Sequence, residues 1–345
     1  MKVRINGRIK EMQSIWWDDG VCMIDQRGIP ERVEIFRAED LNALAFSVRD
    51  MVIRGAPAIG VAAAYGMALA WKNHEDMDKA ARTIKGTRPT ARDLYYAVEL
   101  MLGAWREGRD VIADAKRYAD GIVEMCRKIG EHGVTLLRKG VRVLTHCNAG
   151  ALATVDYGTA LAPLRVAERR GLDPFVYVDE TRPRLQGARL TAWELDNEGI
   201  AYRIICDNAA GYYMARGDVD IVIVGADRVA SNGDIANKIG TYEKAVLAKE
   251  NGIPFYVAAP VSTFDPGIMS GREIPIEERD ENEVLMIDGR YISPKGSHAF
   301  NPAFDITPAK YITGYITEYG VFKREMIPEM IERWKTGGSG GPRDF

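Results

Sequence analysis

Apolar positions along the chain fall into three successive rhythms. Up to about residue 40 they alternate with polar ones in short runs, at 3–5, 12–17, 21–25 and 32–36, divided by Asp19-Gly20 and Gly28-Ile29-Pro30. A period of two predicts half-buried strands, and Asp-Gly between two such runs predicts a hairpin. From Ala38 to about Arg127 the spacing turns helical, with breaks at Arg54-Gly55-Ala56-Pro57 and Gly86-Thr87-Arg88-Pro89-Thr90. From about Gly140 short apolar runs recur at 141–145, 175–178, 201–206, 221–224, 255–258 and 311–317. Several are nearly continuous in Val, Ile and Tyr, as buried parallel strands require. Segments of helical length separate them, at 157–170, 185–197 and 239–251. The pattern predicts an α/β chain: a small N-terminal domain of antiparallel strands and helices (1–130), then a Rossmann-like domain with a doubly wound parallel sheet (131–336). The Gly- and Ser-rich stretch 337–345 reads as a flexible tail.

Composition narrows the function classes. With 345 residues, 46% hydrophobic, 28% charged and a formal net charge of -3, the chain is an ordinary globular mix, with no global field favouring nucleic acid or an anionic membrane. The stretch 56–71 is interrupted by two glycines and is too short to span a bilayer. The first twenty residues lack an apolar core of the signal-peptide kind. Four cysteines, Cys22, Cys126, Cys147 and Cys206, are widely spaced with no CxxC pair, which fits a reducing cytoplasm rather than a disulfide framework.

Ligands of open α/β sheets bind at the carboxyl ends of strands. Here the expected strands run into His146-Cys147-Asn148-Ala149-Gly150, Asp179-Glu180-Thr181-Arg182-Pro183 with Gln186 beyond, Asp207-Asn208, and Gly225-Ala226-Asp227-Arg228 followed by Asn237-Lys238. Reactive and polar residues at four consecutive strand ends point to a built site. By type alone Cys147 is a small buried hydrophobe. Placed just before a Gly/Ala-rich helix start, it reads as a thiol with thiolate character. Asp227 reads either as an N-cap for the next segment or as a carboxyl in apolar surroundings, kept protonated near neutral pH. Asn237-Lys238, ahead of Gly240-Thr241, suits an anion or a sugar hydroxyl, although a lone lysine is often only solvated surface. Arg54-Gly55-Ala56-Pro57 is at least a helix start. The amides of Gly55 and Ala56 beside the Arg54 guanidinium would also cradle a phosphate, and Arg88 offers a second guanidinium.

Other chemistries lack support. His146 and Cys147 are adjacent, so on an extended chain their side chains diverge and form neither a chelate nor a protease dyad. His74, His132, His146 and His298 make no HxH or HExxH, and neither GxGxxG nor GxxxxGK[ST] occurs. Neither metal nor cofactor is expected.

Five segments carry a specific resemblance: the one beginning Met51-Val-Ile-Arg-Gly-Ala-Pro-Ala-Ile-Gly, Thr145-His-Cys-Asn-Ala-Gly-Ala-Leu-Ala-Thr, Asp179-Glu-Thr-Arg-Pro-Arg-Leu-Gln-Gly-Ala-Arg-Leu-Thr-Ala-Trp-Glu-Leu, Gly225-Ala-Asp-Arg-Val-Ala-Ser-Asn-Gly-Asp-Ile-Ala-Asn-Lys-Ile-Gly-Thr, and Phe300-Asn-Pro-Ala-Phe-Asp-Ile-Thr-Pro. In order and over about residues 12–322, the chain resembles the 5-methylthioribose-1-phosphate isomerases of methionine salvage. That fold is shared with regulatory subunits of translation initiation factor 2B. The resemblance implies catalytic roles for Cys147 and Asp227, and substrate contacts at Arg54, Gly55, Ala56, Arg88, Gln186, Asn237 and Lys238. It also implies a sugar-phosphate substrate and a homodimer. Asp93, Asp156 and Ala209 depart from the family's usual residues without removing a named catalytic group. A ribose-1,5-bisphosphate or 5-deoxyribose-1-phosphate isomerase, or a non-enzymatic regulatory subunit, are the alternatives.

Overall fold

The structure is a computed structural model that describes residues 1–5, 7–88 and 92–335. Pro89 and Thr90 of the expected Arg88 turn and the expected flexible tail at 337–345 lie outside the described residues.

The N-terminal strands form two small antiparallel sheets. Lys2–Ile5 pairs with Arg8–Glu11, and Ile15–Trp17, Val21–Ile24 and Ile35–Ala38 form a three-stranded sheet whose first turn is the expected Asp19-Gly20 hairpin. The strand expected at 32–36 begins later, because Arg32 N–H closes a turn onto Gly28 O (3.0 Å). Five helices follow, Leu41–Arg49, Ala56–Lys72, Met77–Lys85, Arg92–Arg106 and Val111–Gly133. Residues 57–70 of the second are all buried, so this helix is apolar on every side and forms the axis around which the others pack. Two glycines allow close approach: a Cβ at Gly66 would sit 2.1 Å from Leu44 Cδ2, and one at Gly60 3.0 Å from the Tyr118 hydroxyl and 3.2 Å from Asp93 O.

The larger part is built on one seven-stranded sheet, with strands β1 (Arg142–Thr145), β2 (Phe175–Asp179), β3 (Ala201–Ile205), β4 (Ile221–Val224), β5 (Phe255–Ala258), β6 (Gly314–Thr317) and β7 (Gly320–Phe322). Their order is β7-β6-β5-β4-β1-β2-β3; all pairs are parallel except the edge pair β6–β7. Val143 on β1 stands opposite Val176 on β2 and Ile221 on β4, and apolar clusters cover both faces. The expected Rossmann-like sheet is therefore present. Connections run outward from β1 in one direction and from β4 in the other, so the topological switch point falls between these two adjacent strands. The crevice at their carboxyl ends is where such a sheet takes its ligand.

A second sheet of Phe264–Asp265, Arg228–Ala230, Ile235–Lys238 and Phe304–Thr307 was not expected from the pattern. The apolar run at 311–317 is a strand only from Gly314, since Ala309–Tyr311 is a 3-10 turn. The helix expected at 157–170 is confined to Ala162–Arg169.

Candidate active site

The switch point places the two expected catalytic residues side by side. Cys147 follows β1 by two residues, and Asp227 follows β4 by three. Both line one cavity of about 100 Å³, together with Arg54, Gly55, Ala56, Arg88, Gln186, Asn237 and Lys238. All nine residues singled out in the sequence are thus brought together. The N-terminal half supplies Arg54 to Ala56 and Arg88, the ends of the parallel strands lead into Cys147, Gln186 and Asp227, and the second sheet supplies Asn237 and Lys238.

Each group is held for a reason that can be traced locally. Gly55 has φ +95° and caps the helix Ala56–Lys72, whose first turn carries Pro57. Arg54 donates to Asn148 Oδ1 (2.6 Å) and to Asn148 O (2.7 Å), so its guanidinium is fixed from two directions. Asn148 Nδ2 in turn donates to Glu194 (2.9 Å) and to the Thr191 hydroxyl (3.2 Å). The buried Glu194 carboxylate also accepts from the amides of Ala151 (2.7 Å) and Leu152 (3.1 Å).

That last contact corrects one expectation. No long helix starts behind Cys147: the chain makes a single 3-10 turn, Ala151–Ala153, and the next helix begins at Ala162. Glu194 captures the free amides that a helix N-terminus would have turned toward the thiol. Positive charge near Cys147 comes instead from Lys238, whose ammonium is poised 4.5 Å from the centre of the Phe304 ring. The Lys238 pKa is lowered, chiefly by burial and also by Arg279, against the opposing pull of Cys147 and Asp227. Cys147 itself has φ +63°, a left-handed conformation rare for a side chain of this kind. It is pinned there by its N–H donating to the Thr181 hydroxyl (2.8 Å) and its carbonyl accepting from the Thr191 hydroxyl (2.6 Å).

Asp227 is not an N-cap, because the chain runs straight into the strand Arg228–Ala230. By accessible surface Asp227 is exposed, its carboxyl open to the cavity, although protein atoms crowd around it. Enclosure raises its pKa despite the opposing pull of Lys238, Arg54, Arg279 and Arg88. The Arg88 pKa is lowered, first by burial and then by Arg279. Arg88 Nε and Gln186 Oε1 are buried without a hydrogen-bond partner among the described residues. Unsatisfied polar atoms on two residues that line one cavity are what a site shaped for a polar ligand leaves open.

Sequence reasoning missed Arg279 and Phe304, which also line this cavity. Phe304 lies in the quoted Phe300 motif, but Arg279 sits in a run of charges with no distinguishing signal. It also missed the buried group beneath Cys147. His146 Nδ1 lies 2.9 Å from Asp179 Oδ2, its Nε2 lies 2.8 Å from Ile239 O, and Asp207 stands close by. The fully buried Lys244 ammonium lies 3.6 Å from Asp179 Oδ2 and donates to Asp207 O (2.9 Å), so this cluster already has a cation among its acids.

Comparison with known proteins agrees with this fold. The profile of the initiation factor 2 subunit family matches residues 52–324. A methylthioribose-1-phosphate isomerase from Chloroflexus aurantiacus is 50% identical over 332 residues, covering 91% of this chain and 96% of that protein. The crystal structure of 5-methylthioribose 1-phosphate isomerase from Pyrococcus horikoshii OT3 is similar at a TM-score of 0.88 and 40% identity, over 95% of this chain and 97% of that one. The translation initiation factor eIF-2B subunit delta from A. fulgidus is similar at a TM-score of 0.85 and 42% identity, over 93% and 100%.

Proposed function

Because the chain belongs to the initiation factor 2 subunit family, and relatives about half identical to it over nine-tenths of its length are methylthioribose-1-phosphate isomerases, we propose that it interconverts 5-methylthioribose 1-phosphate and 5-methylthioribulose 1-phosphate. It is an aldose–ketose isomerase acting on a sugar 1-phosphate, a step of methionine salvage. The observation that carries this reading is the convergence of Cys147 and Asp227 at the switch point, beneath the cationic groups Arg54, Arg88 and Lys238.

The chemistry follows from the substrate. Phosphate on the anomeric oxygen prevents the sugar from opening to a free aldehyde, so the C1–ring-oxygen bond itself must break. Asp227, protonated at rest, gives its proton to the ring oxygen as that bond breaks, leaving a hydroxyl on C4. In the proton route the Cys147 thiolate takes hydrogen from C2, forming an enol phosphate with a C1–C2 double bond. That proton returns to C1, and the 2-hydroxyl gives its own proton to the Asp227 carboxylate as C2 becomes a carbonyl, which restores the acid. In the hydride route the C2 hydrogen passes to C1 with its electron pair, Cys147 balances the charge, and the 2-hydroxyl proton passes to the Asp227 carboxylate as C2 becomes a carbonyl. Either way, Arg54 with the Gly55 and Ala56 amides takes the phosphate at the helix start, and Arg88 and Gln186 add donors. General acid–base help of this kind is worth about 10²–10⁴-fold in rate.

The cavity is lined by both halves of the chain, which supports two domains, 1–130 and 131–336, meeting over the substrate. A homodimer and a cytoplasmic location belong to the same proposal. Among the described residues no helix is long and apolar enough to cross a membrane.

The test is turnover of purified, metal-free protein followed by NMR with 5-methylthioribose 1-phosphate. Ketose formation is expected, with Cys147→Ser and Asp227→Asn inert but still binding substrate. Near-wild-type turnover in either variant would remove the assignment. Silence of the wild type would leave the regulatory-subunit reading.

A further inference from the structure

A second cavity, of about 260 Å³, opens off the first. The two share Gly55, Ala56, Arg88, Asp227, Arg279 and Phe304, but Cys147, Asn148, Gln186 and Lys238 line the first alone. The annex therefore lies on the far side of Asp227 from the thiol. Its own walls are largely apolar: Ile59, Ala236, Ile274, Pro275 and Ile276.

Substrate geometry tells which group can enter it. Asp227 must reach the ring oxygen, and Cys147 must reach C2. In the furanose ring that oxygen joins C1 to C4, and C4 carries C5. With C2 held at the thiol and the ring oxygen at Asp227, the 5-substituent leaves the ring on the side of Asp227 away from Cys147. The annex is there.

Three of its four guanidiniums meet a counter-charge within the protein, while Arg88 Nε, shared with the first cavity, has no hydrogen-bond partner among the described residues. Arg92 donates to Phe264 O and lies 3.8 Å from Asp265, and Arg228 lies 3.8 Å from the same carboxylate. Arg279 Nε donates to Glu277 (3.1 Å), which places an acid in the annex wall. An apolar group fits against Ile59, Ala236 and Ile274 to Ile276 without disturbing those pairs, whereas a second phosphate has to compete with Asp265 and Glu277 for their guanidiniums. The space exceeds what a methylthio group needs, since an apolar cavity of about 150 Å³ holds a benzene ring.

Resting on the reading of the site given above, we propose that the annex takes the 5-substituent and that the enzyme isomerises a class of 5-thioether ribose 1-phosphates extending from methylthio to butylthio and phenylthio. The experiment is a series of 5-S-methyl, ethyl, propyl, butyl and phenyl ribose 1-phosphates, with ribose 1,5-bisphosphate alongside, each followed by NMR on the wild-type protein. Each added methylene should raise kcat/KM or leave it level, with a ceiling of about three- to fourfold per group, and the phenyl compound should turn over within tenfold of the methyl one. Ile276, at the rim and 38% exposed, offers a variant that narrows the annex: Ile276→Trp should lower the phenyl-to-methyl ratio of kcat/KM by at least tenfold. A fall of more than tenfold from methyl to propyl in the wild type, or preference for the bisphosphate, overturns the proposal. An unchanged ratio in a folded Ile276→Trp protein overturns the location. If the methylthio compound itself is inert, the isomerase reading fails and takes this inference with it; if only the larger thioethers are inert, the inference fails alone.

Discussion

Replacing Asp227 by asparagine should move activity and stability in opposite directions. The amide keeps the shape of the carboxyl but cannot give a proton to the ring oxygen. The expected loss in kcat is about 10²–10⁴-fold, which corresponds to about 2.7–5.5 kcal/mol of barrier. Stability follows from the direction of the pKa. Enclosure raises it, outweighing Lys238, Arg54, Arg279 and Arg88, so the folded protein disfavours the anion. Such a group binds its proton more tightly when folded than when unfolded, where an aspartate titrates near about 3.9. Stability is therefore lost as pH rises from the unfolded pKa through the raised folded one, and the whole penalty is present above the latter. Asparagine carries no such penalty. The variant should unfold at a higher urea concentration than the wild type at pH 8, and the advantage should shrink as the pH is lowered toward 4. Urea unfolding at both pH values, with the slope m checked for constancy, and NMR turnover at pH 8 measure the two effects. A variant within threefold of wild-type kcat, or one that unfolds earlier at pH 8 with unchanged m, would refute the picture of an enclosed, protonated acid.

Three further outcomes test the supports of the site. Asn148→Ala removes one charge-assisted bond to Arg54 and one donor to Glu194, and bonds to charged groups are worth about 1.5–3 kcal/mol; KM should rise about ten- to hundredfold in steady-state assays, with a smaller change in kcat. Gly55→Ala places a Cβ 2.4 Å from Ala153 O in a backbone with φ +95°; such a conformation costs about 1–3 kcal/mol before any clash, so urea unfolding should show at least that loss together with weakened substrate binding. Lys244→Met leaves the buried Asp179 carboxylate without its ammonium and the Asp207 carbonyl without its donor. The loss expected for breaking a buried pair is about 3–5 kcal/mol, read by the same unfolding assay.

The large sheet and both catalytic candidates were legible for one reason. Buried parallel strands are continuous in Val, Ile and Tyr, and whatever follows them falls at the crevice. Cys147 and Asp227 could be placed without knowing the strand order, but their being neighbours could not, because adjacency depends on β1 and β4 flanking the switch point. The second sheet was illegible for a related reason. Ile235–Lys238 pairs with Phe304–Thr307 across almost seventy residues, and the strands are too short for either to announce a period. Local pattern also misled at 150–153. Gly-Ala-Leu-Ala reads as a helix start, yet the Glu194 carboxylate, more than forty residues on, accepts two of its amides and ends the turn after three residues.

The same long-range dependence explains why so much charge lies buried under the thiol. Cys147 and Thr181 both have φ near +65° (63° and 65°), a conformation unfavourable for a β-branched residue such as Thr181. Cys147 N–H rests on the Thr181 hydroxyl. The amides of Thr181 and Arg182 rest on the two oxygens of Asp207, at 2.7 Å each. Lys244 then holds the Asp207 carbonyl and faces Asp179, which is bound to His146, the residue just before the thiol. The loop is closed: two strained strand ends are each held through the other by one buried lysine and two aspartates. Strain of this kind persists only where its surroundings over-determine it. A buried ion cluster is a poor source of stability, since its desolvation offsets most of its attraction. Its value here is geometric, because it fixes where the sulfur stands relative to Asp227 on the neighbouring strand.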